Sequence, residues 1–267
     1  MAMADPVLMI GCGNMGYALL SRWICTGSVN PASTAVVEPN EDLRARAGSL
    51  GVAVYATPED IEVTPGVVVI AVKPQILADV LPLYRRFASS VFVSIAAGSP
   101  LCLLTELIGP VEVWRAMPNT PASIGLGATV LCSSNSSDIG REKMLHLFRA
   151  TGIAHVVDET LMDAATAVSG SGPAYIFYVL ETMVSAARML GLPQDVAYDL
   201  VRQTVFGAAT LAANSELAAE DLRWQVTSPG GTTAAGLAVL TQSDSGLGPL
   251  MLKTMVAARA RSTELSL

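Results

Sequence analysis

Short apolar runs rich in β-branched residues recur through the first 157 or so positions, alternate with amphipathic segments, and then stop. Val7–Gly11, Thr34–Glu38, Val52–Tyr55, Val67–Val72, Val91–Ala96 and Val111–Arg115 read as strands. Between the fourth and fifth, Ile76, Leu77, Val80, Leu81, Tyr84 and Phe87 recur at three- and four-residue steps, the helical period. Pro74 suits the first turn of that helix, where a missing N–H costs nothing. Strands apolar throughout and alternating with helices imply a parallel sheet covered on both faces. After about residue 158 the pattern is helical only: Met162–Leu190, Pro193–Ala213, Glu216–Val226, Thr233–Thr241 and Pro249–Leu265, with Gly191-Leu192-Pro193 a stop and restart. The expected organisation is α/β: a doubly wound dinucleotide-binding domain over 1–158, then an all-helical domain over 159–267.

The helices carry little charge for their length. Helices apolar on more than one face are usually buried. A compact helical domain packed on the sheet would hide some of those faces. Sharing the helices with a second subunit hides more, and is the reading we favour.

Composition narrows the class further. Apolar residues make up 51% of the 267 and charged residues 15%, the reverse of what keeps a chain disordered. The run Val67–Val72 stops at Lys73-Pro74, far short of the roughly 20 residues of a membrane span. The uncharged stretch Ala164–Leu180 is interrupted by Ser169-Gly170-Ser171-Gly172-Pro173 and reads as buried helix. A net charge of −7 argues against a nucleic-acid partner, which needs a basic face. The start of the chain has no Lys or Arg before its first apolar run, unlike a signal peptide. Cys12, Cys25, Cys102 and Cys132 show no CxxC spacing, and His146 and His155 are the only histidines. No metal site or disulfide framework is expected, and the chain reads as cytoplasmic and thiol-reduced.

Chemistry concentrates in three places. Gly11-Cys12-Gly13-Asn14-Met15-Gly16 follows the first strand and opens a helix. The first glycine permits a tight turn, the second lets backbone approach a pyrophosphate, and the third lets helix pack on strand. Glu38 ends the second strand 22 positions after Gly16, near the spacing of an acid that bonds the ribose 2′-hydroxyl of NADH and repels the 2′-phosphate of NADPH. Asn40, Arg44 and Arg46 lie just downstream and suit a phosphate instead. The turns Ala71-Val72-Lys73-Pro74 and Ala96-Ala97-Gly98 fall at carboxyl ends of strands, where open α/β sheets bind ligands. Their small residues would let a nicotinamide ring lie against backbone. Ser228-Pro229-Gly230-Gly231-Thr232-Thr233 stands directly before a helix and offers backbone N–H groups and hydroxyls to an anion such as a carboxylate.

These motifs, together with Arg115-Ala116-Met117-Pro118-Asn119-Thr120-Pro121 and Asp163 to Tyr175, occur in the order found in pyrroline-5-carboxylate reductases, and the chain resembles that family from about residue 7 to 265. The resemblance implies a Rossmann-like domain followed by a helical dimerisation domain, NADPH or NADH as cofactor, and reduction of 1-pyrroline-5-carboxylate to L-proline, the last step of proline synthesis. It implies a homodimer, with five dimers assembling into a decamer in many members. By the same resemblance Glu159 and Thr166 approach the pyrrolidine ring and Glu216 lies nearby. Gly230, Gly231, Thr232 and Thr233 hold the carboxylate, with the Thr233 hydroxyl the catalytic contact near the ring nitrogen. Gln225 stands where many members carry Asn. Glu38 stands where many carry Ser, Asn or Arg. A 3-hydroxy-acid dehydrogenase of similar architecture needs a lysine on a helix of the second domain; the only lysine there is Lys253, outside any such motif. A cofactor sensor without turnover has no use for the loop before Thr233.

Overall fold

The computed structural model describes residues 5–61 and 64–266. They form two compact units, one running to Ser171 and resuming at Ala258, the other Gly172–Ala257.

The first unit is built on an eight-stranded sheet of order β3-β2-β1-β4-β5-β6-β7-β8. The strands are β1 Val7–Ile10, β2 Thr34–Val37, β3 Ala53–Tyr55, β4 Val67–Ile70, β5 Val91–Ser94, β6 Val113–Met117, β7 Gly127–Ser133 and β8 Gly152–Val156. The six expected strands are present, each within two residues of the expected start. The first six pair in parallel, in the order of a doubly wound dinucleotide-binding sheet. The expectation of a purely parallel sheet needs correction, because β6 pairs with β7 antiparallel. Gly125 and the Thr120–Ile124 turn reverse the chain between them, a connection too short for a parallel crossover.

Alternate residues of one strand serve opposite faces. Val7 and Met9 point into one apolar layer and Leu8 and Ile10 into the other. The first layer is covered by α1 (Asn14–Cys25) and α5 (Asp138–Arg149). There Trp23 is fully buried, stands edge-on to Phe148 with ring centroids 5.8 Å apart, and donates its indole N–H to Leu147 C=O. The second layer is covered by the segment 74–87 and by α4 (Leu101–Ile108). Between β2 and β3 lies α2 (Glu41–Gly48), its start capped by the Asn40 side chain.

The segment expected as one amphipathic helix after Pro74 is different in kind. Its α-helical part, α3, is only Leu77–Val80, flanked by 3₁₀ turns over Pro74–Ile76 and Leu81–Phe87. Pro82 has no N–H to donate and its ring opposes an α-helical partner. Leu77, Leu81, Tyr84 and Phe87 are buried as the period predicts, but Ile76 is 43% exposed. The expected helix from Met162 is likewise divided into α6 (Met162–Ala165), a π turn over Thr166–Gly170, and α7 (Gly172–Met189). The π bond runs from Ser171 N–H to Thr166 C=O at 2.9 Å.

The second unit is helical. It contains α7, α8 (Gln194–Asn214), α9 (Ala219–Gln225), α10 (Thr232–Leu240) and the start of α11 (Leu247–Leu265). The helix expected from Glu216 begins at Ala219, because Leu217 N–H is taken by the Ser215 hydroxyl. Within this unit Ala197 and Val201 are the buried apolar side chains among the described residues, while Phe177, Tyr178, Phe206, Leu211 and Trp224 are each more than half exposed. Among the described residues no helix is long and apolar enough to cross a membrane.

Candidate functional site

Three loops meet at the carboxyl ends of the central strands. Gly11 N–H bonds Val37 C=O, Ala71 N–H bonds Ile10 C=O and Ile95 N–H bonds Ile70 C=O, so neighbouring strands hold each loop in register. The strand order reverses direction between β1 and β4, the place where such sheets open a crevice. A cleft of about 460 Å³ lies there, lined by Gly11, Gly13, Glu38, Ala71, Val72 and Lys73. Its far wall is apolar and includes Leu43, Pro58, Ile76 and Leu83.

The glycine-rich turn is shaped by close packing. Gly11 has φ +81°, and a Cβ there would sit 2.7 Å from Val72 Cγ1, so strain and collision both exclude a side chain. A Cβ at Gly16 would lie 3.1 Å from that of Ala71, which keeps α1 close to the sheet. At Gly13, by contrast, a Cβ would meet nothing within 4 Å. Gly13 is the N-cap of α1 and supplies no side-chain cap. The first-turn amides of Asn14, Met15 and Gly16 therefore have no cap from that residue, a setting suited to a pyrophosphate. Cys12 is buried, and that burial pushes its thiol up to about 11, with Arg46 pulling down and Glu38 pushing up.

Glu38 is 7% exposed and its carboxylate is engaged. Oε2 accepts the Cys12 N–H at 2.8 Å and Oε1 the Asn40 N–H at 3.0 Å. Arg46 donates to Cys12 C=O at 3.0 Å and lies 4.4 Å over the Tyr17 ring. Arg44 donates to the carbonyls of Glu38 and Pro39, both at 2.9 Å. Lys73 is exposed and starts the 3₁₀ turn at Pro74 without a side-chain cap. Ala96, Ala97 and Gly98 form the next loop along the sheet and do not line the cleft. Gly98 has φ +69°, and a Cβ on it would lie 2.7 Å from the Leu265 carbonyl oxygen. That last turn of α11 is fastened by Ser262 and Thr263, whose hydroxyls donate to Asp163 at 2.7 and 2.8 Å.

Glu159 and Thr166 belong to the same unit as the sheet. Glu159 pairs with Arg115 of β6 at 2.6 Å and also accepts Leu101 N–H at the start of α4. The Thr166 hydroxyl donates to Met162 C=O at 2.8 Å and opens the π turn. Asn119 fixes that turn: its amide donates to Ser169 C=O at 3.0 Å while its oxygen accepts Ala128 N–H at 2.9 Å. Neither Arg115 nor Asn119 was assigned a site role from sequence. A buried polar residue just past a strand end was the available signal for Asn119.

In the helical unit Glu216 is exposed in the α8–α9 connection, and Gln225 ends α9. Gly231 is the N-cap of α10, and no side chain caps that helix. Thr232 and Thr233 are its exposed first residues, with the helix's leading amides free for an anion by the same reasoning as at α1. Among the described residues no cluster of His, Cys, Asp and Glu has the makings of a metal site.

Comparison with known proteins decides the lineage. Residues 159–265 match the family described as pyrroline-5-carboxylate reductase dimerisation, and residues 6–98 the family described as NADP oxidoreductase, coenzyme F420-dependent. A pyrroline-5-carboxylate reductase of Pisum sativum is 36% identical over 96% of this chain and 94% of its own. The chain belongs to the pyrroline-5-carboxylate reductase family. Within that family, the Coxiella burnetii reductase structure superposes with a TM-score of 0.93 at 33% identity, covering 99% of this chain and all of that one. The Plasmodium falciparum pyrroline carboxylate reductase, solved with NADP bound, superposes with a TM-score of 0.87 at 27% identity, covering all of both chains.

Proposed function

We propose that the chain reduces 1-pyrroline-5-carboxylate to L-proline with NAD(P)H, the last step of proline synthesis. The cleft at the β1–β4 switch, in a chain related to these reductases along nearly its whole length, carries the reading. The cleft also fits the nucleotide: open space faces Gly13 and the first-turn amides of α1 have no side-chain cap.

NAD(P)H, when bound, supplies the hydride. Gly11, Cys12, Gly13, Asn14, Met15 and Gly16 hold the pyrophosphate, and Glu38 stands at the ribose end. Ala71, Val72 and Lys73, which line the cleft, with Pro74 beside them and Ala96, Ala97 and Gly98 on the next loop along the sheet, would receive the nicotinamide end. Gly230, Gly231, Thr232 and Thr233 hold the substrate carboxylate. Glu159, Thr166 and Glu216 complete the ring site. A cyclic imine accepts hydride readily once its nitrogen is protonated, so neither a metal nor a nucleophile is required. The protein's share is proximity and orientation, plus a hydrogen bond from Thr233 to the nitrogen whose charge changes.

We take the functional division to lie at 158/159; the start of the dimerisation family match at residue 159 supports this, while the compact units divide at Ser171/Gly172. The exposed apolar side chains of the helical unit support a homodimer, and the family resemblance extends this to a decamer of five dimers. The four cysteines are unpaired, which suits the reducing cytoplasm.

Initial rates of NADH and NADPH oxidation with pyrroline-5-carboxylate, alongside light scattering, test all of this. Substrate-dependent oxidation by an oligomer is expected. Inertness with either nucleotide, or turnover of a 3-hydroxy acid instead, would overturn the assignment, and an active monomer would overturn the assembly.

A further inference from the structure

We propose that Glu38 is a positioning residue for the glycine-rich turn rather than the group that selects between NADH and NADPH. This rests on the nucleotide site described above. The two peptide units that flank the Cys12 Cα are each held: the Cys12 N–H by Glu38 Oε2 at 2.8 Å and the Cys12 C=O by Arg46 Nη2 at 3.0 Å. The grip is itself braced. Glu38 Oε1 holds the Asn40 N–H, Arg44 holds the carbonyls of Glu38 and Pro39, and the Arg46 guanidinium lies on the Tyr17 ring.

Cys12 links Gly11, whose positive φ makes the turn, to Gly13, which caps α1. Fixing the Cys12 peptide therefore fixes where the first-turn amides of α1 point. Those amides serve the pyrophosphate, which NADH and NADPH share. An acid that selects by charge must present that charge to the 2′-position. Here each carboxylate oxygen already accepts a backbone N–H of this chain, and the residue is buried. Both oxygens are thus committed to the backbone of this chain, which is the work of a brace for the turn. Loss of the carboxylate removes charge-assisted hydrogen bonds from the turn, a penalty common to both nucleotides.

The test is titration of the intact oligomer with NADH and with NADPH, followed by fluorescence, on the wild type, Glu38→Ala and Glu38→Gln. Glu38→Ala should raise both Kd values together by about tenfold or more, the scale of a lost hydrogen bond to a charged group. Glu38→Gln should recover most of the affinity for both, since its amide oxygen still accepts the Cys12 N–H. It also carries the test should Glu38→Ala fail to fold.

The opposite pattern, weaker NADH with unchanged or tighter NADPH, would make Glu38 a reader of the 2′-position and overturn the proposal. Unchanged Kd values for both would overturn it as well. A wild-type protein that binds neither nucleotide would bring down the nucleotide reading itself, whereas a shift in the ratio brings down this proposal alone.

Discussion

At the scale of single residues, the two threonines at the start of α10 separate chemistry from capping. Gly231 occupies the N-cap and no side chain caps the helix, so Thr233→Ala should leave the melting temperature nearly unchanged. If its hydroxyl serves the ring nitrogen, kcat should fall by on the order of 3 kcal/mol in barrier height, with the NADPH dissociation constant preserved. Normal turnover with lowered stability would reduce the hydroxyl to a cap. The cysteines give a second expectation. Burial pushes the Cys12 thiol up to about 11 and, with Glu159 opposing Arg115, the Cys132 thiol up to about 11 as well. At pH 8 roughly one in a thousand such thiols is the reactive thiolate. Alkylation read by mass spectrometry should therefore mark exposed Cys25 and Cys102 and spare Cys12 and Cys132. Rapid labelling of Cys12 would mean that the glycine-rich turn opens in solution. The Gly11–Gly16 turn was legible in sequence because its geometry admits few residue types. The bonds made by Glu38 were not, because a side chain's partner depends on backbone that only the fold brings near.

At the scale of elements, apolar runs foretold the first six strands well, since a strand buried on both faces has little freedom of composition. They failed where faces differ: β8 alternates, with Ala154 buried and Ile153 60% exposed. The sequence period also foretold Leu77, Leu81, Tyr84 and Phe87 as buried but erred at Ile76, and it gave no sign that most of the segment would be 3₁₀, where Pro82 decides. The π turn at Thr166–Gly170 was equally hidden, because an inserted residue leaves helical composition unchanged. Extra residues in helices often mark functional sites, and Asn119 is the side chain that holds this one to β7. Asn119→Ala should cost about 1–2 kcal/mol, since a part-buried carbonyl and a part-buried amide lose their partner. It should also lower kcat/KM, as Thr166 sits in the turn it holds. Urea unfolding and initial rates on the same variant check both, and an unchanged midpoint would mean that Asn119 is not a clasp.

At the scale of the whole molecule, low charge in the C-terminal half pointed to shared helices, and the exposed side chains of α7, α8 and α10 agree with that. Exposure of Phe177, Tyr178, Phe206 and Leu211 leaves the helical unit with few apolar side chains buried by its own chain. Burying one such side chain fully contributes about 1.5–3 kcal/mol, so an oligomer that covers several of them would add substantially to what holds these helices in place. The consequence concerns molecularity. If another copy completes that core, as proposed, the unit cannot finish folding alone and its last step is an encounter between chains. Recovery of activity after dilution from denaturant should then quicken as chain concentration rises, while the burial of Trp23 on α1 and Trp114 on β6 recovers at a fixed rate. A half-time for activity that ignores concentration would show that the helices settle within one chain. For this protein, how much enzyme a cell holds and how fast each new chain becomes enzyme would be the same question.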